Sequence, residues 1–145
     1  MTDREYPARP IVGIGVVLLK PDAVLLVQRG KPPNPGSWSL PGGAQELGET
    51  CEAAGRRELE EETGMIAGEL TFAACFDSIR RDDAGRIQYH YTIIDYAARW
   101  IEGEPRASSD VIGARFVSFD GLGEYNLTAI AHEVIGIARR LVGYD

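Results

Sequence analysis

The sequence predicts an α/β fold, a mixed β-sheet with a helix packed on each face. Three observations lead there. Runs rich in branched and aromatic apolar residues at 11–19, 23–28 and 87–100 have the length and composition of strands. Two stretches, 50–63 and 127–142, have helical composition or spacing, the first lying between Thr50 and Gly64 as caps. With the shorter apolar segments added, the order along the chain is β-β-β-α-β-β-β-α.

The 145 residues suit one domain over 1–145, with 1–9 as a loose N-terminal tail, and 44% hydrophobic with 26% charged residues is an ordinary globular composition. No apolar run approaches the roughly 18 to 20 residues of a membrane span, and MTDREYPARP has no apolar leader core, so no membrane partner and a cytoplasmic location are expected. Cys51 and Cys75 have neither disulfide-framework nor zinc spacing and read as free thiols at apolar positions. A net charge of -7 argues against a long nucleic acid as partner, because binding its backbone needs clustered Lys and Arg. The acidity is local: seven acids and two bases lie between Gly43 and Met65.

The elements follow in order. Lys20-Pro21-Asp22 supplies turn chemistry between the first two runs, which makes a hairpin. Gly13 and Gly15 lie inside its first strand, without the third glycine and following helix of a dinucleotide fingerprint. GKPPNPGS is a loop, and the short strand at Trp38 leads into a second turn at Pro41-Gly42-Gly43. Thr50 caps the helix, with Glu52 in its first turn. An apolar stretch at 70–76, a polar turn RRDDAGR and the long strand 87–100 come next, then a loop at 102–110 and a short strand at 115–118. The closing helix sets Ile130, Val134, Ile137 and Leu141 at helical spacing.

The stretch RELEEETG, ending at Gly64, carries the chemistry. Acids at a helix C-terminus are unfavourable by ~0.3 to 1 kcal/mol each. Glu58, Glu61 and Glu62 are spaced i, i+3, i+4, so their carboxylates share one face, and Glu60 does not. The bland reading is a solvated acidic face. The functional reading is a site for a hard divalent cation, Mg²⁺ or Mn²⁺, between the carboxylates.

From Gly43 onward, G-AQELG-E-TCEAAGR-REL-E-EE-T-GM resembles the signature of the Nudix hydrolases: glycine, five residues, glutamate, seven residues, then R-E-U-x-E-E-x-G-U with U apolar. Gly43, Glu49, Arg57, Glu58, Leu59, Glu61, Glu62, Gly64 and Met65 fill every specified position, a coincidence of roughly 10⁻⁹ per window at average residue frequencies. The resemblance implies an α/β/α sandwich and metal-dependent hydrolysis of a nucleoside diphosphate linked to another group. It makes Glu58, Glu61 and Glu62 metal ligands, adds the backbone carbonyl of Gly42, and leaves Glu49 either in the metal shell or bracing the loop. Arg57 orients the carboxylates or is an ordinary surface pair. For the general base it offers a box glutamate such as Glu61 or a later acid among Asp82, Asp83, Glu102, Glu104 and Asp110, of which Glu104 is preferred. Relatives also suggest a homodimer.

Substrate choice lies outside the signature. Arg29, beside the motif's opening turn, can fork onto a phosphate or be a surface residue. Trp38, Tyr89 and Tyr91 can stack on a base or belong to the core. GKPPNPGSWSLPGG and the tyrosine-rich strand resemble bacterial ADP-ribose pyrophosphatases, although Arg81 stands where many of those carry proline. The small nucleotide expected as substrate is therefore ADP-ribose or a similar nucleoside diphosphate sugar. The alternatives are a nucleotide-sanitising (d)NTP pyrophosphohydrolase and a nucleotide-binding module without turnover.

Overall fold

The computed structural model describes residues 4–32 and 34–145, so the start of the expected tail and Pro33 in the GKPPNPGS loop lie outside the described residues. The first hairpin forms from β1 (Ile11–Lys20) and β2 (Ala23–Arg29), but the two strands pair only next to the turn, at Leu19↔Val24 and Lys20↔Ala23. Beyond it they separate. β2 takes β3 (Trp38–Ser39) and β7 (Val111–Ser118) as antiparallel neighbours. β1 runs parallel to β6 (Ile87–Arg99) from Ile11↔Tyr91 to Leu19↔Arg99, and β6 pairs antiparallel with the edge strand β5 (Thr71–Arg81).

The edge of β1 that β2 leaves open is filled by β4 (Gly42–Ala44), in register Gly13↔Ala44 to Gly15↔Gly42, with Val16 N–H donating to Pro41 O at 3.0 Å. The second turn expected at Pro41–Gly43 is thus partly a strand, hidden because glycines carry no strand propensity. The approach is backbone against backbone: a Cβ at Gly42 would run into Ile14 O.

Side chains alternate across this sheet and make two cores. Val17, Leu19, Val24 and Leu26 face α2 (Ala129–Val142), while Val16, Leu18 and Leu25 face α1 (Cys51–Thr63). Both faces are covered, which is why β1 and β2 read as continuous apolar runs. α1 is capped by Thr50 Oγ1, accepting from Ala53 N–H, and closed by Gly64 at φ 72°. Gly55 lets it lie close to β1, since a Cβ there would stand 3.2 Å from methyls of Ile14 and Val16.

Several element expectations need correction. β5 continues through Arg81, leaving a tighter turn, and β7 begins at Val111, not at 115. A 3₁₀ segment, Phe119–Tyr125, precedes α2. The buried stripe of α2 is Val134, Ile135, Ala138 and Val142, whereas Ile130 and Leu141 are exposed. The stripe keeps Val134 but takes in Ile135 and the small, fully buried Ala138 in place of Ile130 and Leu141. Cys75 is exposed and Cys51 half-buried, both as free thiols. The N-terminal segment touches β6 and the turn before it: Glu5 accepts from Gln88 Nε2 at 2.7 Å, Tyr6 N–H donates to Gln88 O at 2.7 Å, and its hydroxyl donates to Asp82 at 2.8 Å.

Candidate active site

The splayed hairpin brings β4 against the last turns of α1, and Arg57 holds the junction. All five of its N–H donors are used: Nε and Nη2 on the Glu49 carboxylate at 2.6 and 2.9 Å, Nη1 on Glu58 at 2.8 Å and on Glu61 at 3.2 Å, and Nη2 also on Ala44 O at 3.1 Å. Glu49 also accepts from Glu46 N–H at 2.9 Å. These contacts, with Arg57 first, hold its carboxyl down to about 2. In this arrangement Glu49 braces the loop before the helix.

Glu58 and Glu62 turn toward the glycine loop. The Glu58 carboxyl lies where a Cβ of Gly43 would be, so any larger residue there would displace that carboxyl. Glu62 accepts from Gly42 N–H at 3.1 Å and is 8% exposed. Burial pushes its carboxyl up to about 7, and the charge of Glu58 adds to this against partial relief from Gly42 N–H and Arg29. Burial also raises Glu58, opposed by Arg57. The loop after β6 closes the end of α1: Arg106 N–H donates to Thr63 O at 2.9 Å and Ser108 N–H to Glu62 O at 3.0 Å, occupying carbonyls a helix end leaves free.

Two cavities meet here. One of about 640 Å³ is lined by Gly42, Gly43, Glu58 and Glu62 together with Arg29 and Asp110. Tyr89 and Tyr91 also line it, as do Arg4 and Lys31, and Lys31 pairs with Asp110 at 2.8 Å. A second, of about 380 Å³, shares Arg29, Gly42, Gly43 and Tyr91 with the first and extends between β1, β6 and α2. Both are within the range of small-molecule sites.

Of the residues picked out from sequence, the structure therefore gathers Gly42, Glu58, Glu62, Arg29, Tyr89 and Tyr91 at one place. Arg57 and Glu49 stand behind it, and Glu61 is at the exposed end of the same network, its side chain 50% accessible. Trp38 is engaged elsewhere, edge-on to Tyr125 at 5.2 Å with Arg115 over its ring at 5.0 Å, and lines neither cavity. Glu104 is exposed on the loop after β6 and also lines neither, whereas Asp110 from that loop does. Sequence reasoning missed Arg4, Lys31 and Asp95. The first two lie in segments with no periodicity, but Asp95 had a signal: a lone acid in the apolar run of β6.

Among the described residues, no group of three or more His, Cys, Asp or Glu side chains is arranged to hold a metal ion. The carboxylates of Glu58 and Glu62, which line one cavity beside Gly42, still fit the way Mg²⁺ is commonly bound, with water completing its shell. The donors are all oxygen, and both carboxyls resist ionisation as they stand. A divalent cation would remove that resistance.

A paired-carboxylate helix end behind a glycine loop, opening on a cavity of nucleotide size, defines a candidate phosphate-chemistry site on an α/β sandwich. Residues 9–136 match the NUDIX domain family, and the chain belongs to the Nudix hydrolases. It is 34% identical over 113 residues, 78% of this chain and 64% of the relative, to an ADP-ribose pyrophosphatase of Methanocaldococcus jannaschii. To a putative 8-oxo-dGTP diphosphatase 2 of Mycobacterium tuberculosis it is 41% identical over 85 residues, 58% of this chain and 57% of that one. It thus spans less than two thirds of each of these curated relatives. A MutT Nudix hydrolase from Burkholderia pseudomallei superimposes with a TM-score of 0.76 at 29% identity, over 88% of this chain and 97% of that one.

Proposed function

We propose that this chain hydrolyses the pyrophosphate bond of a nucleoside diphosphate derivative, with ADP-ribose as the first substrate. The observation that carries the reading is the position of Glu58 and Glu62, against Gly42 and Gly43, at a cavity that continues into a second, largely apolar one. Similarity to the M. jannaschii ADP-ribose pyrophosphatase supports the choice of substrate. The likeness to the putative 8-oxo-dGTP diphosphatase keeps a (d)NTP pyrophosphohydrolase as the second reading.

In this reading Glu58, Glu62 and the Gly42 carbonyl, with Glu61, would hold Mg²⁺ or Mn²⁺, which would supply neutralisation of the pyrophosphate charge. Arg29 takes a phosphate, which suits a planar five-donor fork lining both cavities. Arg57 fixes the carboxylates in place. The proton of the attacking water goes to Glu61 or to a loop acid, either Asp110, which lines the cavity, or Glu104, which would have to reach it from outside. The setting is cytoplasmic and the substrate a small nucleotide; no helix among the described residues is long and apolar enough to cross a membrane.

The test is a product assay with Mg²⁺ or Mn²⁺, offering ADP-ribose, NTPs, dNTPs and oxidised dGTP. AMP and ribose phosphate from ADP-ribose is the expected result. Pyrophosphate from a triphosphate alone moves the assignment to the second reading, and E61Q, E104Q and D110N compared on the best substrate identify the base.

For assembly the reading is a homodimer in which a second copy adds to the outer edge of β5. That strand ends the sheet, Ile79 on it is 52% exposed, and a two-fold axis at Ile79 sets Asp77 opposite Arg81 of the other copy. Light scattering is expected to give twice the 15.8 kDa of one chain, and I79D to halve it.

A further inference from the structure

We infer that Asp95 accepts a hydrogen bond from the amino group of a purine held between β1, β6 and α2, and so determines which base the site takes. The inference rests on the nucleotide reading above only for the presence of a base.

Asp95 lies opposite Gly15 in the parallel pairing of β6 with β1. It is 3% exposed, and no hydrogen bond or ion pair ties its carboxyl to another described residue; its oxygens are not among the fully sealed atoms that lack a partner, so what they face is the cavity. Burying an ionisable group without a partner is costly, and such groups normally acquire one. The position is also maintained at the expense of a neighbour. A Cβ on Gly15 would collide with Asp95 Oδ1, so the absence of a side chain there makes the room the carboxyl occupies.

That carboxyl lines the 380 Å³ cavity. Gly13 and Gly15, two apart on β1 and so on one face of the sheet, leave backbone with no side chain over it, which suits a flat ring. Phe76, Ile93, Ile130 and Val134 provide apolar wall. Arg29, Gly42 and Gly43 belong to this cavity and to the acidic one, so a molecule with its phosphates at Glu58 and Glu62 can extend its other end toward Asp95. A ligand able to satisfy the site must be planar, largely apolar on its faces and able to donate an N–H from one edge. An amino-purine has those properties. Hypoxanthine, with a carbonyl where adenine has its amino group, directs an acceptor at the carboxyl. A buried acceptor facing an acceptor is disfavoured, which makes Asp95 selective and not merely sticky.

The experiment is equilibrium binding of AMP and of IMP to the full chain, without hydrolysis, for wild type and D95N. An Asn side chain has nearly the same shape but both donates and accepts, so it can satisfy either base. Wild type is expected to bind AMP about ten-fold more tightly than IMP, and D95N to bring the two within about two-fold. D95L, with no acceptor, is expected to weaken AMP and leave IMP little changed; a thermal melt of each variant checks that it is folded. Equal affinities in wild type, no measurable binding of either nucleotide, or an undiminished AMP preference in D95N overturns the inference. Turnover of ADP-ribose is scored separately. Its absence would remove the hydrolase reading, while the AMP to IMP ratio alone decides the role of Asp95.

Discussion

At the scale of single residues, the site is a contest between burial and charge. Glu62 illustrates its sign. Its carboxyl is raised from 4.5 to about 7 by burial, so in metal-stripped protein its favourable contribution is complete below pH 4.5 and is lost as the pH rises through about 7. E62Q cannot ionise, and should be more stable than wild type near pH 8 in EDTA, by up to about 3 kcal/mol in denaturant titration, with little difference near pH 4. Glu49 runs the other way: lowered by Arg57, it contributes above pH 4.5 and loses that contribution as the pH falls toward about 2. R57M is expected to strip both bracing and alignment, shifting acid unfolding to higher pH and cutting turnover by about 10²-fold, read from melts and initial rates. The shared face of Glu58 and Glu62 was legible in sequence because helical periodicity and motif spacing are local, whereas Gly42 was named only through the family resemblance. Asp95 was not read as a site residue, because what distinguishes it is an unfilled partner and a glycine on another strand 80 positions away.

The elements show where local rules are overridden. α1 follows them: Thr50 and Gly64 cap it as their residue types dictate, and T50A should cost about 1 kcal/mol in denaturant titration. β4 does not, since glycines form a strand there only because β1 has an open edge once β2 leaves it. α2 likewise departs from the pattern of its largest side chains, burying Ile135 and Ala138 while Ile130 and Leu141 stay exposed. β4 is also where structure and chemistry meet most directly. G43A places a methyl on the Glu58 carboxyl, the flexible end of a side chain, so the fold should tolerate it while the carboxyl is displaced. The expected result is an unchanged circular dichroism spectrum with turnover reduced by about two orders of magnitude. Near-wild-type turnover would show that the position of Glu58 against the loop does not matter.

On the scale of the whole molecule, the parallel pairing of β1 with β6 and the division of β1 and β2 between two neighbour sets depend on contacts remote in sequence, which one-dimensional patterns do not encode. That arrangement makes the site a junction. β4 hangs on β1, α1 packs beneath through Leu59 with Met65 just past its end, and the loop after β6 is tied to the carbonyls of Glu62 and Thr63. A cation held by Glu58, Glu62 and Gly42 would join β4 to α1 where the buried carboxyl of Glu62 and the half-buried one of Glu58 oppose ionisation, so it should stabilise the protein against global unfolding and not only against a local opening. A ligand bound only to the folded state contributes RT ln(1 + [L]/Kd), about 2.7 kcal/mol at a hundred times Kd. Urea titrations with and without Mg²⁺ should therefore show a higher midpoint at unchanged slope in wild type, because the surface exposed on unfolding is the same. E58Q and E62Q should lose the Mg²⁺ response while retaining the cooperative transition. If either variant keeps the full shift, its carboxylate is not among the ligands. If wild type shows no shift with Mg²⁺ or Mn²⁺, the raised carboxyls are a feature of burial alone and the metal assignment fails.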